Sequence, residues 1–219
     1  MAKRDPRLDK WLRWLEIVKL QVQDLVMAKY TFHEVQKMIA GNPKIQKENS
    51  FYRYLTNTYV SHVVIGLRRQ LKGDSQSISL VQLMEELIAT PEILSRAYYK
   101  GLYTGTAVED LADHDFDKLA KPGAPHIDPG LVAADLARLR SATANCEEFA
   151  DRRVAHHDKR NPKQLPTFNE VDAAIDLLDE LYCRYLLMFE AKAMDSLLPT
   201  WQYDWKGIFR VAWLPEHET

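Results

Sequence analysis

The chain has 219 residues, with 29 Lys and Arg against 31 Asp and Glu, and its formal charge of −2 excludes a globally basic nucleic-acid coat. Hydrophobic residues make up 46% and charged residues 27%, both near globular averages and incompatible with intrinsic disorder. Two cysteines exclude a disulfide framework or a four-cysteine zinc site, and eight glycines, about half the usual ~7% share, disfavour hairpin-rich folds.

No stretch approaches the roughly 18 apolar residues of a membrane span. Arg13, Glu16 and Lys19 interrupt the run from Trp11 to Leu20 that a signal peptide would need to be apolar. A cytoplasmic protein that does not engage a membrane is expected.

From Pro6 to Ala40, Trp11, Leu15, Val18, Val22, Leu25, Val26 and Tyr30 recur mostly at intervals of three and four. That is the period of a helix, and the run is too long for a strand. Gly41-Asn42-Pro43 stops it, with Gly41 suited to a left-handed cap. A second helix is predicted over Lys47 to Lys72, with Phe51, Leu55, Tyr59, Val63, Leu67 and Leu71 on one stripe and Gly73-Asp74 closing it. Ser79-Leu80-Val81-Gln82 has the form of a capping box, opening a short helix that stops before Pro91. Thr90-Pro91 opens another, which Gly101 caps. Leu102 to Ile127, carrying Gly105, Pro122-Gly123 and Pro125, reads as a long surface loop with at most one helical turn.

Asp128-Pro129 opens a third long helix, with Leu131, Leu136, Leu139, Phe149 and Val154 near its inner face, and Asn161-Pro162 ends it. Thr167-Phe168-Asn169-Glu170 is a full capping box, followed by Val171, Ile175, Leu178, Tyr182, Tyr185 and Phe189 at helical spacing. From Pro199 on, Trp201, Trp205, Phe209 and Trp213 recur every four residues, a pattern open to a last helix or an extended strap because Gly207 and Pro215 interrupt it. The expectation is one all-α domain. Residues 1–198 are expected to form a helical bundle with a long loop, and residues 199–219 a Trp-rich tail packed on the bundle or at a dimer interface.

The densest chemical signal closes the third long helix. Over Asp151 to Lys163, five Lys and Arg face two Asp, so an anion is drawn here in an otherwise slightly acidic chain. On a helix Arg152 neighbours His156 and Arg153 neighbours His157. In each pair the guanidinium can grip two phosphate oxygens while the imidazole moves a proton. The same charges also suit a plain helix C-terminus, where cations complement the macrodipole. Arg68, Arg69 and Lys72 offer further phosphate contacts. Asp110, Asp113, His114, Asp115 and Asp117 lack the spacing of a ligand set, so they read as a solvated acidic loop and no metal is expected. His33 and His62 read as packed core histidines, and Cys146 and Cys183 as buried thiols. The Trp-rich tail suits packing, or the stacking of bases.

An Arg followed by four to six residues and then a His occurs twice, as Arg152 to His157 and as Arg210 to His217. Composition alone gives about one such pair, so placement carries the weight. Placed at a helix end, the first pair resembles the HEPN superfamily, and its abortive-infection AbiU-like branch in particular. Leu67-Arg68-Arg69-Gln70-Leu71, Ile78-Ser79-Leu80, Val154-Ala155-His156-His157-Asp158-Lys159 and the helix from Thr167 to Phe189 carry the resemblance, which spans residues 8–190. It implies an antiparallel helical bundle that dimerises with two motifs facing one cleft. It also implies a cofactor-free, metal-independent endoribonuclease acting on RNA in phage or stress defence, with an antitoxin or other defence partner.

Two registers remain open. Aligned on Ala155-His156, the family Arg falls near Ala150, which implies a non-catalytic module binding RNA, a nucleotide or a protein partner. Aligned on His157, it falls on Arg152, which implies a nuclease. A regular helix leaves Arg152 and His157 about 140° apart, so they meet only where the helix frays or bends. A Tyr two residues after the His, modified in some members by a partner nucleotidyltransferase, is replaced by Lys159 or Asp158. The resemblance thus points to Arg152 and His157 as catalytic and to His156 as a structural or phosphate-holding neighbour. Arg153, Lys159, Arg160, Arg68 and Arg69 are the expected RNA contacts.

Overall fold

The computed structural model describes residues 5–74, 76–154 and 164–213. In chain order the helices are α1 (Pro6–Ala40), α2 (Ser50–Leu71), α3 (Leu80–Ala89), α4 (Arg96–Tyr103), α5 (Ala112–Asp117), α6 (Pro129–Phe149) and α7 (Phe168–Glu190). Among the described residues the extended backbone pairs only in an isolated antiparallel bridge, Ser95 with His126. The expected all-α bundle is what the chain forms.

Helix α1 starts where its caps place it. The Asp5 carboxylate accepts from the Arg7 N–H, and Pro6 sits in the first turn. Trp11, Leu15, Val18, Val22 and Leu25 are buried along one face. Trp11 meets Phe189 edge-on at 6.1 Å, and its indole N–H donates to Glu86 at 2.5 Å. Burial alone would raise the Glu86 carboxyl, but donors from Lys10 and Trp11 outweigh it and hold the group below its ordinary value. Gly41 departs from expectation, with φ −80° in the right-handed region. The chain needs no left-handed residue there because it runs on into a 3₁₀ turn at Pro43–Ile45 capped by Asn42.

Helix α2 begins at Ser50, later than Lys47, because the Asn49 side chain caps the Tyr52 N–H. It lies antiparallel to α1: Phe32 stacks on Tyr59, and the Gln21 side chain meets that of Gln70. Between these contacts a Cβ on Gly66 would overlap the Leu25 side chain, so the glycine sets how closely the two helices approach. The Thr167–Glu170 capping box is complete, and all six residues of the predicted α7 stripe are buried. α7 runs antiparallel to α1, through His33–Asp172 and Lys29–Asp176, and antiparallel to α6, through Asn145–Glu170 and Arg184–Asp135. At α3 only half the capping box forms: Ser79 accepts from the Gln82 N–H, while the Gln82 side chain turns to Glu86.

Three expectations need correction. Gly101 is not a cap but lies inside α4, which the Ser95 hydroxyl opens and which continues so that Tyr99 and Tyr103 can be buried. Residues 102–127 hold more than a surface loop with one helical turn. α4 runs on to Tyr103, and a 3₁₀ turn, α5 and a closing segment follow, with Phe116, Leu119 and Ile127 buried. Arg96 covers the Phe116 ring at 4.7 Å and ion-pairs Asp113 and Asp117, while Tyr103 donates to Asp115. The acidic run is therefore spent on Arg96, Lys100 and Lys118. Finally, His33 and His62 are not core residues: each is partly exposed against a carboxylate, Asp172 at 2.8 Å and Asp24 at 3.2 Å.

Cys146 and Cys183 are buried free thiols, each pushed up to about 11 by burial first and by nearby carboxylates second. The tail is a strap rather than a final α-helix. Asp179 accepts from the Ser196 hydroxyl and the Leu197 N–H, Trp201 stacks on Tyr30 at 6.2 Å, and a 3₁₀ turn covers Trp205–Arg210. Among the described residues, no helix is long and apolar enough to cross a membrane.

Candidate nucleic-acid interface

The inner face of α6 runs through Leu139, Thr143, Cys146 and Ala150, all buried, at intervals of four, three and four. The Asp128 carboxylate caps its start through the Gly130 N–H. Past Phe149 the helix widens into a π turn over Ala150–Val154. Such turns close i→i+5 hydrogen bonds and recur at functional sites. Ala150 is fully buried, whereas Asp151, Arg152 and Arg153 are half-buried at the surface.

Two helices deliver cations to this corner. Arg68, near the end of α2, ion-pairs Asp151 through its Nε. Arg152 ion-pairs Glu148 one turn back at 3.0 Å. Both guanidiniums are thus oriented by carboxylates before any ligand arrives. Asp151 engages Arg68 at one point of a group with five N–H donors, so the pair does not exhaust it. Arg69 is exposed on the next face of α2, and Lys72 lies 3.9 Å from Asp74. Of the expected site residues, Arg68, Arg152 and Arg153 share one corner and Arg69 borders it. His156, His157, Lys159 and Arg160 lie outside the described residues, as does His217.

A second polar cluster joins α1, α2 and α7. His33 Nε2 lies 2.8 Å from one oxygen of Asp172, and the Tyr59 hydroxyl donates to the other at 3.2 Å. Burial first, and the Asp172 charge second, push the Tyr59 hydroxyl above its ordinary value, so it stays a donor. The His33 side chain is 38% exposed, and a carboxylate holding one ring nitrogen is how an imidazole is oriented for acid–base work. Sequence reading missed this cluster because 139 residues separate His33 from Asp172 and no spacing signal links them.

Among the described residues, no three His, Cys, Asp or Glu side chains gather as a metal site. Compared with known proteins, the chain matches no family model, no curated protein and no solved structure.

Proposed function

We propose that this chain is an HEPN-type, metal-independent endoribonuclease acting on RNA in phage or stress defence, in the Arg152–His157 register. One observation carries the choice of register: Ala150, where the other alignment needs an arginine, is fully buried in the π turn. A guanidinium at that position would be buried without a partner, at severe cost. Arg152, two residues on, reaches the surface next in sequence to Asp151, the partner of Arg68. The turn type supports the same choice. The helix leaves α geometry at Ala150–Val154, within the turn that carries Arg152, and π turns recur at functional sites.

In this reading Arg152 and Arg68 hold the scissile phosphate, displacing Glu148 and Asp151. His157 takes the proton of the ribose 2′-hydroxyl as its oxygen attacks phosphorus. The 5′-oxygen leaves and is protonated in turn, and a 2′,3′-cyclic phosphate remains. His156 steadies the phosphate, while Arg153, Lys159, Arg160 and Arg69 track the strand. The defence role, the antitoxin or other defence partner and the homodimer rest on the resemblance alone. Light scattering tests the dimer, since a monomer has a mass of 25.4 kDa.

A second reading, a non-catalytic module that binds RNA, a nucleotide or a protein, is favoured by one observation: Arg68 and Arg152 both already have carboxylate partners. Incubation with RNA in excess chelator separates the two. The nuclease yields cyclic-phosphate ends, and the binding module shifts the RNA intact.

A further inference from the structure

The other end of α2 has a different surface. The last turn of α1, the turn at Pro43–Ile45, the first turn of α2 and the tail enclose a groove of about 730 Å³, within the ~300–1,000 Å³ range of ligand sites. Its aromatic walls are Phe51, Tyr52, Phe209 and Trp213, and its cations are Lys206 and Arg210, ion-paired to Glu34 and Asp204. Phe209 and Trp213 stack at 5.9 Å with 27° between their planes. Two polar ring atoms of the walls are fixed: the Tyr52 hydroxyl donates to the Ile45 carbonyl at 2.6 Å, and the Trp213 indole N–H to the Ile208 carbonyl at 3.0 Å. The ring faces are left to solvent, with Phe51 52% and Trp213 59% exposed.

The surroundings are cationic. Glu34 to Arg53 carries Lys37, Lys44, Lys47 and Arg53 against Glu34 and Glu48, and Tyr203 to Trp213 carries Lys206 and Arg210 against Asp204. In a chain of net charge −2, these two stretches together carry an excess of three positive charges. A second copy of the chain would bring the same cations and be repelled. Flat exposed rings beside cations match a nucleobase and its phosphate, the pattern by which single strands are held without sequence preference.

We infer that this groove binds the unpaired bases of single-stranded RNA, stacking them on Trp213 and Phe51 with their phosphates toward Lys206 and Arg210. The inference rests on the RNA reading above and supplies its substrate class. A base must leave its helix to lie on a ring, so single strands bind and duplexes do not. Arg68 lies about 25 Å further along the α2 axis, so a strand engaging both ends follows that helix.

Fluorescence anisotropy of a labelled single-stranded RNA, in a His157→Ala background that prevents cleavage, tests this. Phe51→Ala and Trp213→Ala are each expected to weaken binding about 5- to 100-fold, with Trp213→Phe retaining most affinity and a duplex of the same sequence competing poorly. Both side chains are half exposed, so the variants should melt as the parent does. Single-strand affinity unchanged by Phe51→Ala and Trp213→Ala but lowered by Arg68→Ala overturns the groove and leaves the nuclease reading intact. No RNA binding by the parent overturns both. Light scattering in which Trp213→Ala turns a dimer into a monomer overturns the inference by making the groove an interface between copies.

Discussion

The two ends of α2 handle exposed side chains in different ways. At the C-terminal end, Arg68 is held by Asp151 beside the π turn, so charge is concentrated and then neutralised in pairs. At the N-terminal end the cations are paired as well, Lys206 with Glu34 and Arg210 with Asp204, but Phe51 and Trp213 stand more than half exposed beside them. Paired charges can exchange a carboxylate for a phosphate at little desolvation cost, whereas open rings gain by any flat ligand that covers them. In the proposed reading, one end takes the backbone of an RNA strand and the other its bases.

The largest effect that could break this division is at the charged end. His157→Ala is expected to lower RNA cleavage about 10²–10⁴-fold, the usual worth of general acid–base help, and His156→Ala clearly less. The measurement is the initial rate of cyclic-phosphate formation in chelator. A silent His156→Ala beside an active His157→Ala would restore the Ala150 register and make Arg152 a bystander.

Next comes the core of the bundle that carries both ends. Trp11 is fully buried and fills the space between α1, α3 and α7, where it meets Glu86 and Phe189. Trp11→Ala should cost about 3–5 kcal/mol in urea unfolding, from lost contact, a cavity and an indole donor removed from Glu86. A loss under about 1 kcal/mol would mean that the bundle closes around the gap.

Legibility in the sequence followed the range of the interaction. α7 was readable to the residue at its start, because its capping box spans Thr167 to Glu170, and along its buried face, because its stripe repeats within one helix. Gly101 misled because a glycine after a short apolar run has the local form of a cap. What extends α4 past it is the burial of Tyr99 and Tyr103, with Tyr99 meeting Phe116 from a later segment at 5.3 Å. The same long-range packing turned the acidic run of residues 102–127 into a paired shell around Phe116. At the candidate site, the basic character and the arginines were legible. The π turn, the Arg68–Asp151 pair and the Asp172 partner of His33 were not, since each depends on contact between distant helices.

A smaller change should sharpen the contrast. Asp151→Asn removes the anion from Arg68 and leaves the shape of the site nearly intact. Both partners are partly exposed, so stability should fall by no more than about 1 kcal/mol. Affinity for RNA should rise about fivefold at low salt, as expected when a competing charge worth about 1 kcal/mol is removed, and the gain should shrink as salt screens it. Anisotropy at two ionic strengths checks this. Weaker binding would show that Asp151 positions Arg68 rather than competing for it.

The smallest effect concerns the clasp that holds the tail at the aromatic end. Glu34 accepts from Lys206 of the tail and, at 2.7 Å, from Lys37. The Lys206 hydrogen bond first, and the Lys37 one second, hold the Glu34 carboxyl down at about 2, against an ordinary 4.5. A depressed carboxyl contributes stability above 4.5, and that contribution is lost as pH falls from 4.5 toward 2, where the folded state too takes up the proton. Lys206 is raised by the same contact, so its share is present below its ordinary 10.5 and is lost as pH rises through the higher folded value. The clasp is therefore at full strength between about 5 and 10 and opens on the acid side first. The rings of Trp201 and Trp205 lie within 6.3 Å of Tyr30, and near-ultraviolet circular dichroism reports on that cluster. Its signal should weaken below pH 4.5 while the helical signal persists, and Glu34→Gln should show the weakened signal already at pH 7. An undiminished acid transition in Glu34→Gln would place the pH-sensitive anchor elsewhere, with Asp179 and its bonds to Ser196 and Leu197 the next contact to remove.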